Sequence, residues 1–315
     1  MTDAFLFPGQ GSQSVGMMDE LREAHPLIDA TFEEASDAIG TDLAALVKDG
    51  PVDKLNQTVW TQPVMLAAGV ATFRAWRAKG GAQPDTMAGH SLGEYSALVC
   101  AGAVGLADAT RLVARRAQLM QSAVAAGEGA MVAIIGLKDE QVAAACAAVA
   151  NGDVVEPVNF NAPGQVVVAG SAAAVARLAE KAEAEGARRV LPLPVSVPSH
   201  CALMRPAAET FATDLAAIEF TAPEVEIIHN AGPVAPGSVD GLRDALARQL
   251  YSPVPWSGTV QSLLDNGTAR FYECGPGRVL TGLVKRIHRR AKIWSLHDAA
   301  SMDEALLHAA EIEKP

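Results

Sequence analysis

A serine with a glycine two residues to either side, Gly89-His90-Ser91-Leu92-Gly93, follows the short run Asp85-Thr86-Met87-Ala88 and precedes the helix-forming stretch Glu94 to Ala101. A strand that turns at once into a helix, with serine at the corner, is a nucleophile elbow. The glycines let the backbone make the tight turn and leave no side chain in the path of an acyl group approaching the hydroxyl. The helix behind Ser91 adds free N–H groups and a positive dipole end, both suited to an oxyanion. The string alone also occurs in ordinary turns; the strand before it and the helix after it favour a catalytic serine.

The elbow belongs to a chain of alternating strand and helix signals. Ala4-Phe5-Leu6-Phe7 ends in Pro8-Gly9-Gln10-Gly11, Val225 to Ile228 leads into His229-Asn230-Ala231-Gly232, and Ala269 to Glu273 leads into Cys274-Gly275-Pro276-Gly277 and a helix from Val279 onward. Pro63 to Lys79, closed by Gly80-Gly81, reads as a helix that starts at its proline. Apolar strands that each end in a glycine loop before a helix predict an α/β fold with a doubly wound parallel sheet, whose ligands bind at the carboxyl ends of the strands. Ser91 would lie at that edge. Strands at 130–135, 154–158, 165–169 and 189–193, with helices at 138–150 and 172–185, give the order βαββαβ of a ferredoxin-like split unit. The expected division is a large catalytic α/β subdomain of residues 1–126 and 197–315 with an inserted small subdomain of residues 127–196, and a ligand cleft between them.

At 315 residues, half of them hydrophobic and 19% charged, the chain can bury a core of that size. A net charge of −11 argues against nucleic acid as a partner. The N-terminus has no basic and apolar leader, and no run approaches the roughly 18 apolar residues of a membrane span, which predicts a cytoplasmic protein without membrane contact. Cys100, Cys146, Cys201 and Cys274 lack the spacing of a zinc site or a disulfide framework. The local exception to the acidic balance is Lys285, Arg286, Arg289, Arg290 and Lys292, with Arg278 upstream; the first four are placed on the helix after Gly277. This run is either a solvated face or a docking patch for an acidic partner or a phosphate.

A serine nucleophile needs a base, and the chain has seven histidines. His90 should point away from the hydroxyl, His288 sits within the basic run, and His25, His297 and His308 read as structural or solvated. His200, in a turn that opens a helix after the inserted segment, and His229, at a strand end, can both reach the catalytic edge, and spacing does not choose between them. In the helix from Leu106 to Ala123, Arg116 falls on the apolar stripe with Leu112, Val113 and Met120, while Arg111, Arg115 and Gln118 share the polar face. An inward guanidinium needs an anion, either an internal Asp or Glu or the carboxylate of a substrate. Pro8-Gly9-Gln10-Gly11-Ser12-Gln13 fits neither GxGxxG nor the Walker pattern, and is either a plain glycine turn or half of an oxyanion hole.

Those segments, together with Met120-Gln121, Asn159-Phe160-Asn161-Ala162-Pro163-Gly164-Gln165, Ser199-His200-Cys201-Ala202-Leu203-Met204, Arg248-Gln249-Leu250 and Gly275-Pro276-Gly277, occur in the order found in malonyl-CoA:acyl carrier protein transacylases. From about Phe5 to Arg286 the chain resembles that family. The resemblance implies an α/β-hydrolase-like large subdomain with a ferredoxin-like insertion. It also implies transfer of malonyl from malonyl-CoA to the phosphopantetheine thiol of acyl carrier protein, in fatty acid or polyketide synthesis, with no metal or redox cofactor. On the matching positions it implies Ser91 as nucleophile, His200 as general acid/base in preference to His229, the backbone N–H groups of Gln10 and Leu92 as oxyanion hole, and Arg116 as anchor for the malonyl carboxylate. The main-chain carbonyl of Gln249 would orient His200 in place of an acidic side chain. Met120, Asn161 and Gln165 match positions near the substrate, Lys285 and Arg286 become candidates for carrier docking, and His229 stands where relatives look to have Asn. Two other classes are weighed on the residues: a serine thioesterase or esterase, which gives the acyl group to water and has no use for an inward Arg116, and a carrier-binding module with a vestigial serine.

Overall fold

The computed structural model describes residues 2–195 and 197–310, so residue 1, the junction at 196 and the end at 315 of the expected division lie outside the described residues. The strands are β1 (Thr2–Phe7), β2 (Thr86–Gly89), β3 (Gly129–Ile135), β4 (Val155–Ala162), β5 (Gln165–Ser171), β6 (Arg189–Pro192), β7 (Glu226–Ile228), β8 (Thr268–Glu273) and β9 (Lys292–Ser295). Five of them form a wholly parallel sheet in the order β7-β2-β1-β8-β9. The central β1 is buried from Ala4 to Phe7, as a strand covered on both faces must be. The chain steps outward from β1 to β2 and β7 on one side, and to β8 and β9 on the other. The switch point lies between β1 and β8, and because β2 pairs directly with β1, the loops after β1 and β2 sit side by side at the same carboxyl edge, where ligands of such sheets bind. They carry Gln10 and Ser91.

The remaining strands make an antiparallel sheet in the order β4-β5-β3-β6, with all its residues between Gly129 and Pro192. Alternation gives it two apolar faces. Val132, Ile134, Val166 and Val168 pack against the helices Asp139–Val149 and Ala172–Ala184, while Met131, Ala133, Val167 and Ala169 face the other way. Val254 fastens β4 to the large sheet's side of the molecule: its carbonyl accepts from Phe160 N–H at 3.0 Å, and its N–H donates to Val158 O at 2.8 Å.

Two expectations need correction. The helix read from Pro63 begins at Thr58 and runs to Ala78, with Pro63 inside it just past the first turn, where its missing N–H deprives only the Val59 carbonyl of a donor. The basic run is not one helical face. The helix Val279–Ile287 ends before His288, so that Lys285 and Arg286 lie in its last turn, Arg289 and Arg290 in the following turn, and Lys292 in β9. That edge strand of four residues is too short for a period-two signal. The glycine loop before this helix has its own logic: the buried carboxylate of Glu273 accepts from Leu280 N–H at 2.9 Å and Thr281 N–H at 2.7 Å, satisfying the helix start. No helix among the described residues is long and apolar enough to cross a membrane.

Candidate active site

β2 ends at Gly89 and the helix Gly93–Cys100 starts four residues later, which leaves Ser91 in the left-handed region at φ 52°. A non-glycine residue stays there only when its surroundings hold it. Asn230 does so, accepting from Ser91 N–H at 2.8 Å and donating its Nδ2 to Gly89 O at 2.7 Å. Glycine is required at three positions by backbone-on-backbone packing. A Cβ on Gly89 would lie 1.9 Å from the Gly93 carbonyl carbon, one on Gly93 2.0 Å from Phe7 O, and one on Gly9 2.4 Å from His90 O. Gln10 and Leu92 are thereby brought to one cavity. The N–H groups of Gly93, Glu94 and Tyr95 are taken by the carbonyls of His90, Ser91 and Leu92, so Leu92 N–H is the donor left at the head of the turn.

His200 Nε2 stands 2.7 Å from Ser91 Oγ, and its Nδ1 donates to Gln249 O at 2.8 Å. Gln249 is the last residue of the helix Val239–Gln249, where carbonyls lack intrahelical donors and the dipole is negative. A helix end thus does the orienting work of a triad acid. With the proton fixed on Nδ1, Nε2 can accept the serine proton. Burial first, and then the charge of Arg116, push His200 down to about 3, so the ring is neutral and ready as a base. His229 is not at the hydroxyl; its Nδ1 lies 2.8 Å from Glu94 Oε1. His90 also turns away, its Nε2 2.8 Å from Asn161 Oδ1.

Arg116 is 1% exposed. Its Nη1 donates to Gln62 Oε1 at 2.8 Å, and its Nη2 to Gln249 Oε1 at 2.9 Å and Ser91 Oγ at 3.3 Å. Among the described residues no carboxylate lies within ion-pair distance of it; the buried charge of Glu94 reaches it only through space and through the Gln249 carboxamide. Met120, Asn161 and Gln165 share a cavity of about 260 Å³ with Gln10, Ser91 and His200, roofed by the Met131 and Val167 face of the small sheet. Asn161 and Gln165 stand on either side of the Pro163-Gly164 turn between β4 and β5, and Gln165 Oε1 is buried without a donor among the described residues. Met120 Sδ faces Gln62 Nε2 at 3.7 Å. Lys285 and Arg286 are exposed, and Lys285 Nζ donates to Ala291 O at 2.7 Å.

Three supporting residues escaped the sequence reading: Asn230, which fixes the elbow; Gln62, which holds Arg116; and Glu94, which binds Gln249 Nε2 at 2.6 Å. Each is a buried polar residue in or beside an apolar stretch, and that mismatch was the available signal.

A serine on a strained turn with a buried imidazole on its hydroxyl is built for covalent acyl-group chemistry. The comparisons narrow this class: a profile of the acyl transferase domain matches residues 4–304, and the chain belongs to that family. It is 53% identical over 303 residues to the malonyl CoA-acyl carrier protein transacylase of Escherichia coli K12, covering 96% of this chain and 98% of that one. The solved transacylase of Coxiella burnetii superposes with a TM-score of 0.97 at 46% identity, covering 99% of this chain and 98% of that one. A malonyl-transacylase solved in complex with its type II PKS acyl-carrier protein superposes with a TM-score of 0.96 at 52% identity, covering 98% of this chain and all of its counterpart.

Proposed function

We propose that the protein moves malonyl from malonyl-CoA to the phosphopantetheine thiol of an acyl carrier protein through a malonyl-Ser91 ester, supplying fatty acid or polyketide synthesis in the cytoplasm. Ser91 Oγ gives its proton to His200 Nε2 as it attacks the thioester carbonyl. The oxyanion accepts from the Gln10 and Leu92 N–H groups, and when the C–S bond breaks the coenzyme A sulfur takes the proton from His200. In the second half-reaction the carrier thiol gives its proton to His200, attacks the ester, and Ser91 leaves reprotonated. These steps call for no metal or redox cofactor, because base, oxyanion donors and carboxylate anchor are all supplied by the chain.

The observation that carries this reading is Arg116, buried next to the nucleophile without a carboxylate of its own. A malonyl carboxylate supplies the missing anion, whereas an esterase releasing neutral acyl groups has no use for it. Arg116→Ala is expected to lose about 2–4 kcal/mol of malonyl-transfer specificity, the range for truncating one partner of a buried charge pair. Acetyl transfer should hold or rise. Arg115→Ala should do little, since Arg115 is exposed and pairs with Asp214 at 3.2 Å. Equal losses for malonyl and acetyl would remove the anchor reading. Continuous coenzyme A release from malonyl-CoA without carrier would favour the esterase.

Carrier docking rests on Lys285 and Arg286, which are exposed in the last turn of the helix Val279–Ile287 in an otherwise acidic chain. The double substitution Lys285→Glu with Arg286→Glu is expected to raise KM for carrier, with a steep salt dependence, and to leave Ser91 malonylation unchanged. An unchanged KM would return the pair to the solvated surface.

A further inference from the structure

Glu94 is a fully buried carboxylate that the transfer steps do not use. It stands in the first turn of the helix Gly93–Cys100. Its Oε2 accepts from Gln249 Nε2 at 2.6 Å and from Asn230 N–H at 3.2 Å, and its Oε1 meets His229 Nδ1 at 2.8 Å, with the two side chains 0% and 6% exposed. An ionised carboxylate only accepts, so the facing His229 nitrogen carries its proton. A carboxylate taken this far from water stays in place only while its donors do.

What Glu94 holds is the polarity of one carboxamide. Gln249 directs Nε2 to Glu94 and to Ser91 O at 3.0 Å, which turns its Oε1 toward Arg116, while its main-chain oxygen holds His200. With its ends exchanged, the same amide would press an NH₂ group against the guanidinium and an oxygen against the carboxylate. We propose that His229 is a positioning residue for the transfer reaction: by anchoring Glu94 it fixes the Gln249 carboxamide, on which Arg116 and the elbow rest beside His200. The proposal rests on the malonyl-transfer reading of the site.

The test compares His229→Leu with His229→Asn, whose amide nitrogen can take the place of Nδ1 and donate to Glu94. Rates are normalised to the sites that take up malonyl on Ser91, which removes any contribution from unfolded protein. His229→Leu is expected to lower kcat about tenfold, the scale of losing one hydrogen bond to a buried charged group, and His229→Asn to recover most of it. A leucine variant with parental kcat, or an asparagine variant no faster than leucine at equal thermal midpoint, overturns the proposal. Should the leucine variant fail to fold, ¹⁵N NMR of the parent decides: a proton on Nδ1 supports the anchor, and a neutral ring protonated only at Nε2 overturns it. Failure of the parent to form malonyl-Ser91 would instead overturn the transfer reading itself.

Discussion

Ser91→Ala protein incubated with malonyl-CoA is expected to gain no malonyl mass and to release no coenzyme A above the uncatalysed rate. The fold should survive, because φ 52° is already occupied by a residue with a Cβ and the Asn230 contact is made by the backbone of residue 91. Removing Oγ takes a partner from His200 Nε2 and one acceptor from Arg116, which keeps Gln62 and Gln249. The net change in unfolding free energy should be about 1 kcal/mol, the scale of a single hydrogen bond. Intact-protein mass spectrometry and denaturant melts read both quantities. A malonyl adduct on the alanine variant would place the acyl group on another residue and end the serine mechanism.

His200→Ala is expected to slow both half-reactions by about 10²–10⁴-fold, since each passes a proton through the same nitrogen. Coenzyme A release reads the first half and carrier malonylation the second. A greater loss in His229→Ala than in His200→Ala would move the base. The parent's pH dependence tests the environment of the ring. With His200 held at about 3 instead of 6.5, it is already deprotonated across roughly pH 5–8, so kcat/KM for Ser91 acylation should show no acid limb near 6.5. Such a limb would mean that the buried, Arg116-facing ring is not the titrating base. On the proposed anchor, a malonyl carboxylate at Arg116 would offset the second cause of the depression, so His200 would become more basic when the acyl group to be transferred is present. Acetyl-CoA brings no such offset.

Much of this architecture was legible because its strands end in glycine loops and its inserted elements follow one another in the order βαββαβ. β9 and the start of the helix Thr58–Ala78 were not, the first for want of length and the second because a proline inside a helix imitates a proline at its beginning. Arg116 showed itself by falling on an apolar stripe. His200 and His229 could not be separated on spacing, because each ends up within reach of the helix Gly93–Cys100 or its elbow, and only the fold says which meets Oγ and which meets Glu94. The carbonyl of Gln249 leaves no mark in a sequence at all, since every residue has one. Only the resemblance to transacylases pointed to it.

The helix end that orients His200 has an electrostatic consequence for the choice of acyl group. A triad carboxylate in that place would add a formal negative charge near the pocket proposed for the malonyl carboxylate. Two carboxylates about 7 Å apart, at an effective dielectric near 20, repel by about 2 kcal/mol. A peptide carbonyl holds the imidazole tautomer with only a partial charge, cannot be protonated away, and adds no second formal charge to that of Glu94 beside the guanidinium of Arg116. Installing an aspartate there in the manner of a serine protease would set the base and the dicarboxylate substrate against each other.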